Sequence, residues 1–289
     1  MKKALKIVTV LIIFAMMIAS VFFYSIYISV DRVKLTYPTL ASSKIPEEMK
    51  DVRIAFISDI KYGSFMTQER LTKMINELNA VGCDIVIFGG DMFLDPATNA
   101  PDSDAVSILT KLLNSIDAPL GKFAVLGDQD LVNENTKELV SSILYDSNFE
   151  IITNTSVRIR NHSNSSINLI GLDSYINGEP NAESAFSSIS ENEFNIVVSH
   201  CPDIITTTTF NTNYIDVMMS GHSLGGQIYL PFLGPLRSVE GAQKYHHGVY
   251  TINNTTLYVS NGLGTQGIDM RLLAPPEIIM FRLTNVVSS

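Results

Sequence analysis

Five short, β-branched apolar runs in this chain lead into an aspartate or a histidine, and that pattern restricts the fold more than any other feature. The runs Val52–Ser58, Ile85–Phe88, Phe123–Leu126, Asn195–Ser199 and Ile215–Gly221 are too short for helices and too uniformly apolar for half-exposed strands, so they read as buried strands. They lead into Asp59, Gly89-Gly90-Asp91, Gly127-Asp128-Gln129-Asp130, His200 and His222, respectively. Helical patterns separate the first three: Thr67 caps a run with Leu71, Met74, Ile75 and Leu78 on one face, closed by Gly82. Further helices are expected around Ala105–Leu113 and Glu134–Tyr145. Strand and helix alternate, which predicts an α/β fold, and in an open α/β sheet ligands bind beyond the carboxyl ends of the strands. After Phe149 the runs shorten and become strand-like (Glu150–Thr153, Val157–Arg160, Asn168–Leu172, Thr256–Val259, Glu277–Leu283), so the second half is expected to be mixed in direction.

The first thirty residues stand apart. Lys2, Lys3 and Lys6 precede an uncharged run from Ile7 to Val30, and about 20 apolar residues suffice to cross a bilayer as a helix. Where a cleaved signal peptide would show a small-x-small site, Phe22-Phe23-Tyr24-Ser25-Ile26-Tyr27 continues apolar and aromatic, so an uncleaved signal anchor is expected. The lysines hold the N-terminus in the cytoplasm and place the rest outside, on the cell membrane. The expected organisation is a transmembrane helix over 1–30, a juxtamembrane segment over 31–50 and one α/β domain over 51–289, since no long Pro-, Ser- or Gly-rich linker divides the remainder. Removing the three N-terminal lysines from the formal charge of −9 leaves −12 for residues 31–289, which argues against a nucleic-acid partner. The two cysteines, Cys83 and Cys201, are open to pairing or to life as buried free thiols.

Carboxylate oxygens and imidazoles converging on one sheet edge suit a divalent metal. In order and spacing these residues resemble the calcineurin-like metallophosphoesterases, which carry Asp-x-His, Gly-Asp, Gly-Asn-His-Asp/Glu, a lone His and Gly-His-x-His. The likeness covers roughly residues 50–285. It resembles a membrane-anchored bacterial branch in Gly225-Gly226-Gln227-Ile228, in Leu230–Leu236 and in Tyr258–Thr265 ahead of Pro276-Glu277. The resemblance implies two mixed β-sheets sandwiched between helices, and two metals that share a bridging carboxylate while water attacks phosphorus. By position, Asp91 matches the bridging ligand, Asp59 a ligand of metal one, and Asp128, His200 and His222 ligands of metal two.

Three positions depart from that pattern. Lys61 replaces the His of Asp-x-His and Leu224 the second His of Gly-His-x-His, which removes both imidazoles of metal one. Lys61 has no lone pair for coordination, so it is expected to substitute its own charge for the lost cation. Gln129 replaces the His that acts as acid, and a neutral amide has no proton to give. The expectation is therefore one divalent ion (Mn, Fe and Zn not distinguishable) and a phosphoesterase that is weak or inactive. Its ligand is expected to be a phosphoester or phospholipid, a guess that rests on the tether. A non-catalytic binding or regulatory protein at the cell surface is the alternative. A remote alternative is a serine hydrolase, since Gly221-His222-Ser223-Leu224-Gly225 fits Gly-x-Ser-x-Gly. Pro231, Gly234 and Pro235 stand where that elbow needs a helix, and only His246 and His247 remain downstream.

Overall fold

In the computed structural model, which describes residues 2–207 and 212–286, the chain opens with helix α1 (Lys2–Tyr27), long and apolar enough to cross a membrane. Strands β1 (Lys34–Thr36), β2 (Thr39–Ala41) and β3 (Arg53–Ile57) follow, then α2 (Gln68–Val81), β4 (Ile85–Phe88), α3 (Ser103–Asn114), β5 (Gly121–Ala124), α4 (Glu134–Asp146) and β6 (Glu150–Ile151). The second half contributes β7 (Thr155–Arg160), β8 (Ser166–Gly171), the single-turn α5 (Ala182–Ala185), β9 (Asn195–Val198) and β10 (Val217–Ser220). It ends with β11 (Tyr229–Leu230), β12 (Gly234–Pro235), β13 (Gly248–Ile252), β14 (Thr255–Val259) and β15 (Glu277–Thr284).

These strands form two mixed sheets and a small hairpin. The first runs β1-β15-β3-β4-β5-β6, with β2 also on β15; β3 to β6 are parallel, and β15 lies antiparallel to β3. The second runs β13-β14-β10-β9-β8-β7, parallel in its centre and antiparallel at both edges. Period-two alternation sorts side chains to the two faces. Phe56, Ile87 and Phe281 of the first sheet meet Leu169, Val198 and Met219 of the second in the core between them. Ala55, Ile57 and Phe88 point the other way and pack on Leu71, Met74, Leu113 and Ile143 of the helices. The outer face of the second sheet is covered more thinly, by Ala185 and by Ile204 and Ile205 of a 3-10 turn.

The helices start where side-chain caps place them. Thr67 accepts from the Arg70 amide, Asp102 from Ala105 and Asn133 from Thr136, each satisfying an N–H that the first turn leaves free. Residues 31–50 join the first sheet: β1 and β2 pair in parallel with β15, and Leu40 is buried against the sandwich. Strand β5 ends at Ala124 rather than Leu126, although the Val125 amide still donates to the Phe88 carbonyl at 3.0 Å. Cys83 and Cys201 are both free and buried.

Candidate metal centre

Each expected ligand emerges from the carboxyl end of a strand: Asp59 after β3, Asp91 after β4, Asp128 after β5, His200 after β9 and His222 after β10. Both sheets therefore deliver side chains to one edge. The loops meet so closely that the glycines before the ligands are required. A Cβ on Gly90 would lie 2.9 Å from His200 Nδ1, and Gly90 has φ of 94°. One on Gly127 would collide with the Asp91 carboxylate. Asp59, Asp91 and His222 themselves adopt positive φ (50°, 63° and 69°), a strained conformation that aims their side chains inward.

Asp91, Asp128, His200 and His222 come together, their candidate donor atoms all within 4.8 Å of one another. His200 Nδ1 donates to the Gly89 carbonyl at 2.7 Å, and His222 Nε2 donates to the Glu240 carbonyl at 2.6 Å. Those bonds fix which nitrogen of each ring faces the cluster, as outer-shell partners of metal-ligating histidines do. The two inward nitrogens stand 3.2 Å apart, and both approach Asp128 Oδ1, at 3.1 and 2.9 Å. The approach is off the line of a hydrogen bond, and this buried oxygen has no hydrogen-bond partner. A carboxylate oxygen left bare between two ring nitrogens is the arrangement that a shared cation satisfies. Two imidazoles and two carboxylates are a donor set for a borderline or hard divalent ion.

In the protein alone, positive charge on the two rings balances the carboxylates without closing a hydrogen bond to Asp128 Oδ1. Burial opposes the charged form of both histidines, but Asp91 and Asp128 outweigh it, holding His200 well above its ordinary pKa, while Asp128 draws His222 up to about 10. Burial would likewise raise the carboxylates; His200 and Lys61 instead bring Asp91 down to about 2, and the two histidines hold Asp128 well below the usual range.

Asp59, expected as a ligand of metal one, lies outside the four-residue group. Its Oδ2 accepts the His222 backbone N–H at 2.9 Å, and its Oδ1 is buried without a partner. Lys61 supplies the reason. It is 3% exposed with φ of 49°, and its ammonium is hydrogen-bonded to Asp91 Oδ2. Burial works against that charge, but Asp91, then Asp59, then Asp128 hold it firmly protonated. A lysine cation thus neutralises the Asp59–Asp91 side of the cluster. Leu224 is buried with φ of 53° and offers no ligand. Gln129 Nε2 donates to Asp128 Oδ2 at 3.2 Å, and its backbone N–H to Asp91 Oδ1 at 2.9 Å.

The serine-elbow reading does not survive. A 3-10 turn, Leu224–Gly226, follows β10 where that motif needs a helix, and Ser223 Oγ accepts from the Gly225 amide at 3.1 Å. His246 and His247 pack against the Tyr229 ring, at centroid distances of 5.9 and 4.4 Å.

Two residues that carry the site escaped the sequence reading. Asp130 accepts from the Asp91, Met92 and Gly127 amides at 2.8, 2.8 and 2.9 Å, clamping the two Gly-Asp loops together, and burial beside Asp91 raises its pKa to about 6. The fully buried Arg271 donates to the carbonyls of Leu224, Asn261, Ala274, Gly262 and Gly264, tying the loops behind His222 and Asp59. Asp130 stands in the noted Gly-Asp-Gln-Asp string; nothing local marks Arg271, whose partners are all backbone.

No family model matches the chain. It is 31% identical over 261 residues to the metallophosphoesterase YkuE of Bacillus subtilis, an alignment covering 90% of this chain and 88% of that one. A metallophosphoesterase of Helicobacter pylori is 30% identical over 260 residues, covering 86% of this chain but 65% of that protein's length. The UDP-2,3-diacylglucosamine pyrophosphatase LpxG of Chlamydia trachomatis is 25% identical, with 80% of this chain and 83% of that one aligned. A dimetal phosphatase from Danio rerio superposes with a TM-score of 0.41 at 11% identity, covering 74% of this chain and 88% of that one. With the Bacillus likeness sustained along almost the whole of both chains, this protein belongs to the metallophosphoesterase family.

Proposed function

We propose that the protein is a membrane-anchored metallophosphoesterase that holds one divalent ion on Asp91, Asp128, His200 and His222, with Lys61 in place of the second. The observation that carries this reading is the Lys61–Asp91 ion pair set beside a bare Asp128 oxygen: one half of the centre is neutralised by an internal ammonium, the other asks for a cation. When bound, a divalent ion supplies Lewis-acid charge neutralisation at a phosphoryl oxygen. Lys61, buried in its pair with Asp91, lowers the negative charge that a phosphoester anion would meet there. Gln129 can orient a phosphoryl oxygen through its amide but has no proton to pass to the departing oxygen, and that loss alone costs about 10²–10⁴ in rate. Turnover is accordingly weak or absent.

Helix α1 supports the anchoring, with its lysines on the cytoplasmic side and the domain outside the cell. The lipid named for LpxG and the tether together favour a phosphoester carried by a membrane amphiphile. The test restores Lys61→His, Gln129→His and Leu224→His together and assays an aryl phosphate with manganese. A gain of orders of magnitude over a nearly silent parent is expected. High activity in the parent would overturn the reading.

A further inference from the structure

Among the described residues, large apolar side chains outside α1 are exposed together on the β11–β12 hairpin: Phe232 is 108% exposed at its tip, with Leu233 at 81% and Leu236 at 66%. Two more, Ile268 at 51% and Leu273 at 58%, lie on a loop joined to that hairpin. The joint is backbone: the Tyr229 amide donates to Leu272 O at 2.9 Å, and the Leu272 amide donates to Gln227 O at 3.0 Å. The same loop grips the end of α1. Arg271 donates its backbone N–H to Ser25 O at 2.9 Å, and Ser25 is fully buried there although it belongs to the otherwise exposed helix. Arg70 then bridges Asp31, just beyond the helix, at 2.6 Å and Asp269, within the loop, at 3.0 Å.

These contacts fix the height of the loop. From Lys6, the last N-terminal charge, a helix needs about 20 residues to traverse a ~30 Å hydrocarbon core, which brings the chain to its far boundary near Ser25–Tyr27. Tyr24 and Tyr27 stand there, where aromatic residues favour the interface. The loop held by Ser25 lies at that same level, and its flanking Ile268 and Leu273 with it. An unshielded apolar cluster of this kind signals an interaction surface, and here its neighbour is the lipid that surrounds the helix.

We propose that the β11–β12 hairpin and the 268–273 loop form a membrane-docking face, with Phe232, Leu233, Leu236, Ile268 and Leu273 immersed in the lipid surface beside α1. This rests on the anchor reading of α1 and deepens it. The hairpin is also coupled to the metal centre: Gly226, four residues after His222, has no room for a Cβ against Pro235 of β12, so the hairpin packs directly on the loop behind the histidine. Docking would hold the centre at the height of lipid headgroups, suited to a phosphoester whose acyl chains stay in the bilayer.

The chain contains no tryptophan, so a single introduced one is an unambiguous reporter. Full-length Phe232→Trp, Phe14→Trp in mid-helix and Tyr145→Trp at the far end of α4 would be reconstituted in phosphatidylcholine vesicles with brominated acyl chains. Emission from Phe232→Trp is expected to shift to the blue and be quenched by the bromines, as is that from Phe14→Trp, while Tyr145→Trp stays red and unquenched. Quenching of Phe14→Trp without Phe232→Trp would overturn the docking face and leave the anchor standing. An unquenched Phe14→Trp would overturn both. Equal quenching at Tyr145 would overturn docking by this face in particular.

Discussion

Replacing Lys61 with methionine removes the ammonium that faces Asp91 while keeping most of the side chain's bulk. Lys61 is 3% exposed and Asp91 fully buried, so no water replaces the lost partner. Removing one member of a buried ion pair costs about 3–5 kcal/mol. The fall of Asp91 from 3.8 to about 2 gives a consistent scale: it corresponds to about 2 kcal/mol, held by His200 and Lys61 against the cost of burial, and removing Lys61 forfeits a share while leaving burial less opposed. At about 2–4 °C per kcal/mol for a domain of this size, the Tm should fall by roughly 6–20 °C. The sign with pH follows from the direction of the shift. A carboxylate whose folded pKa is depressed contributes fully above its unfolded pKa, and that contribution fades as pH falls from about 4 towards 2. The Lys61→Met deficit is therefore largest at neutral pH and shrinks in acid, where Asp91 takes up a proton instead. Thermal unfolding in detergent with a chelator present measures it, and adding manganese should recover part of the loss, since the freed Asp59 and Asp91 carboxylates can then share an ion. A deficit below about 1 kcal/mol, the value of an exposed pair, would refute the role given to Lys61.

Metal binding should release about two protons per ion, because His200 and His222 start protonated and must give up their inward protons; calorimetry in buffers of different ionisation heat reads this, and no release would contradict it. By the same protons, whose pKa values are raised on folding, the metal-free protein loses stability as pH rises from about 6.5 towards 10, and bound metal should abolish that slope. Gln129→His alone should raise aryl phosphate turnover without changing metal content, by up to about 10²–10⁴; unchanged turnover would place the deficit at Lys61 instead. Arg271→Met strands five backbone carbonyls and should cost more than 3 kcal/mol or so, against under about 1 kcal/mol for Lys34→Met in its half-exposed pair with Glu277. Equal unfolding midpoints for the two would refute it.

The candidate ligands are legible because metal chemistry demands particular residue types at strand ends, and Gly90-Asp91 or Gly127-Asp128 announces itself in a run of apolar residues. Lys61 and Gln129 were legible as departures from that pattern. Asp59 stands at its expected strand end but outside the four-residue group, and the Lys61–Asp91 pair beside it forms only in three dimensions. Arg271 was invisible for a related reason: it serves backbone carbonyls as far as Leu224, 47 residues away, and no side-chain pattern records them. Strands β1, β2, β11 and β12 are two or three residues long, too short for any periodicity, and exist because β15 and the hairpin turn give their backbones partners. The hairpin's apolar tip is legible in the sequence only as a likeness to the family; the Ser25–Arg271 contact that ties its neighbouring loop to α1 is not.

The most direct measurement is the metal content of the full-length protein, purified in detergent, saturated with manganese, desalted and analysed by elemental mass spectrometry alongside Lys61→His. One ion per chain is expected for the parent and a second for the variant, whose imidazole can join Asp59 and Asp91. Two ions in the parent would show that Lys61 does not stand in for a metal, and none would contradict the centre at Asp91, Asp128, His200 and His222.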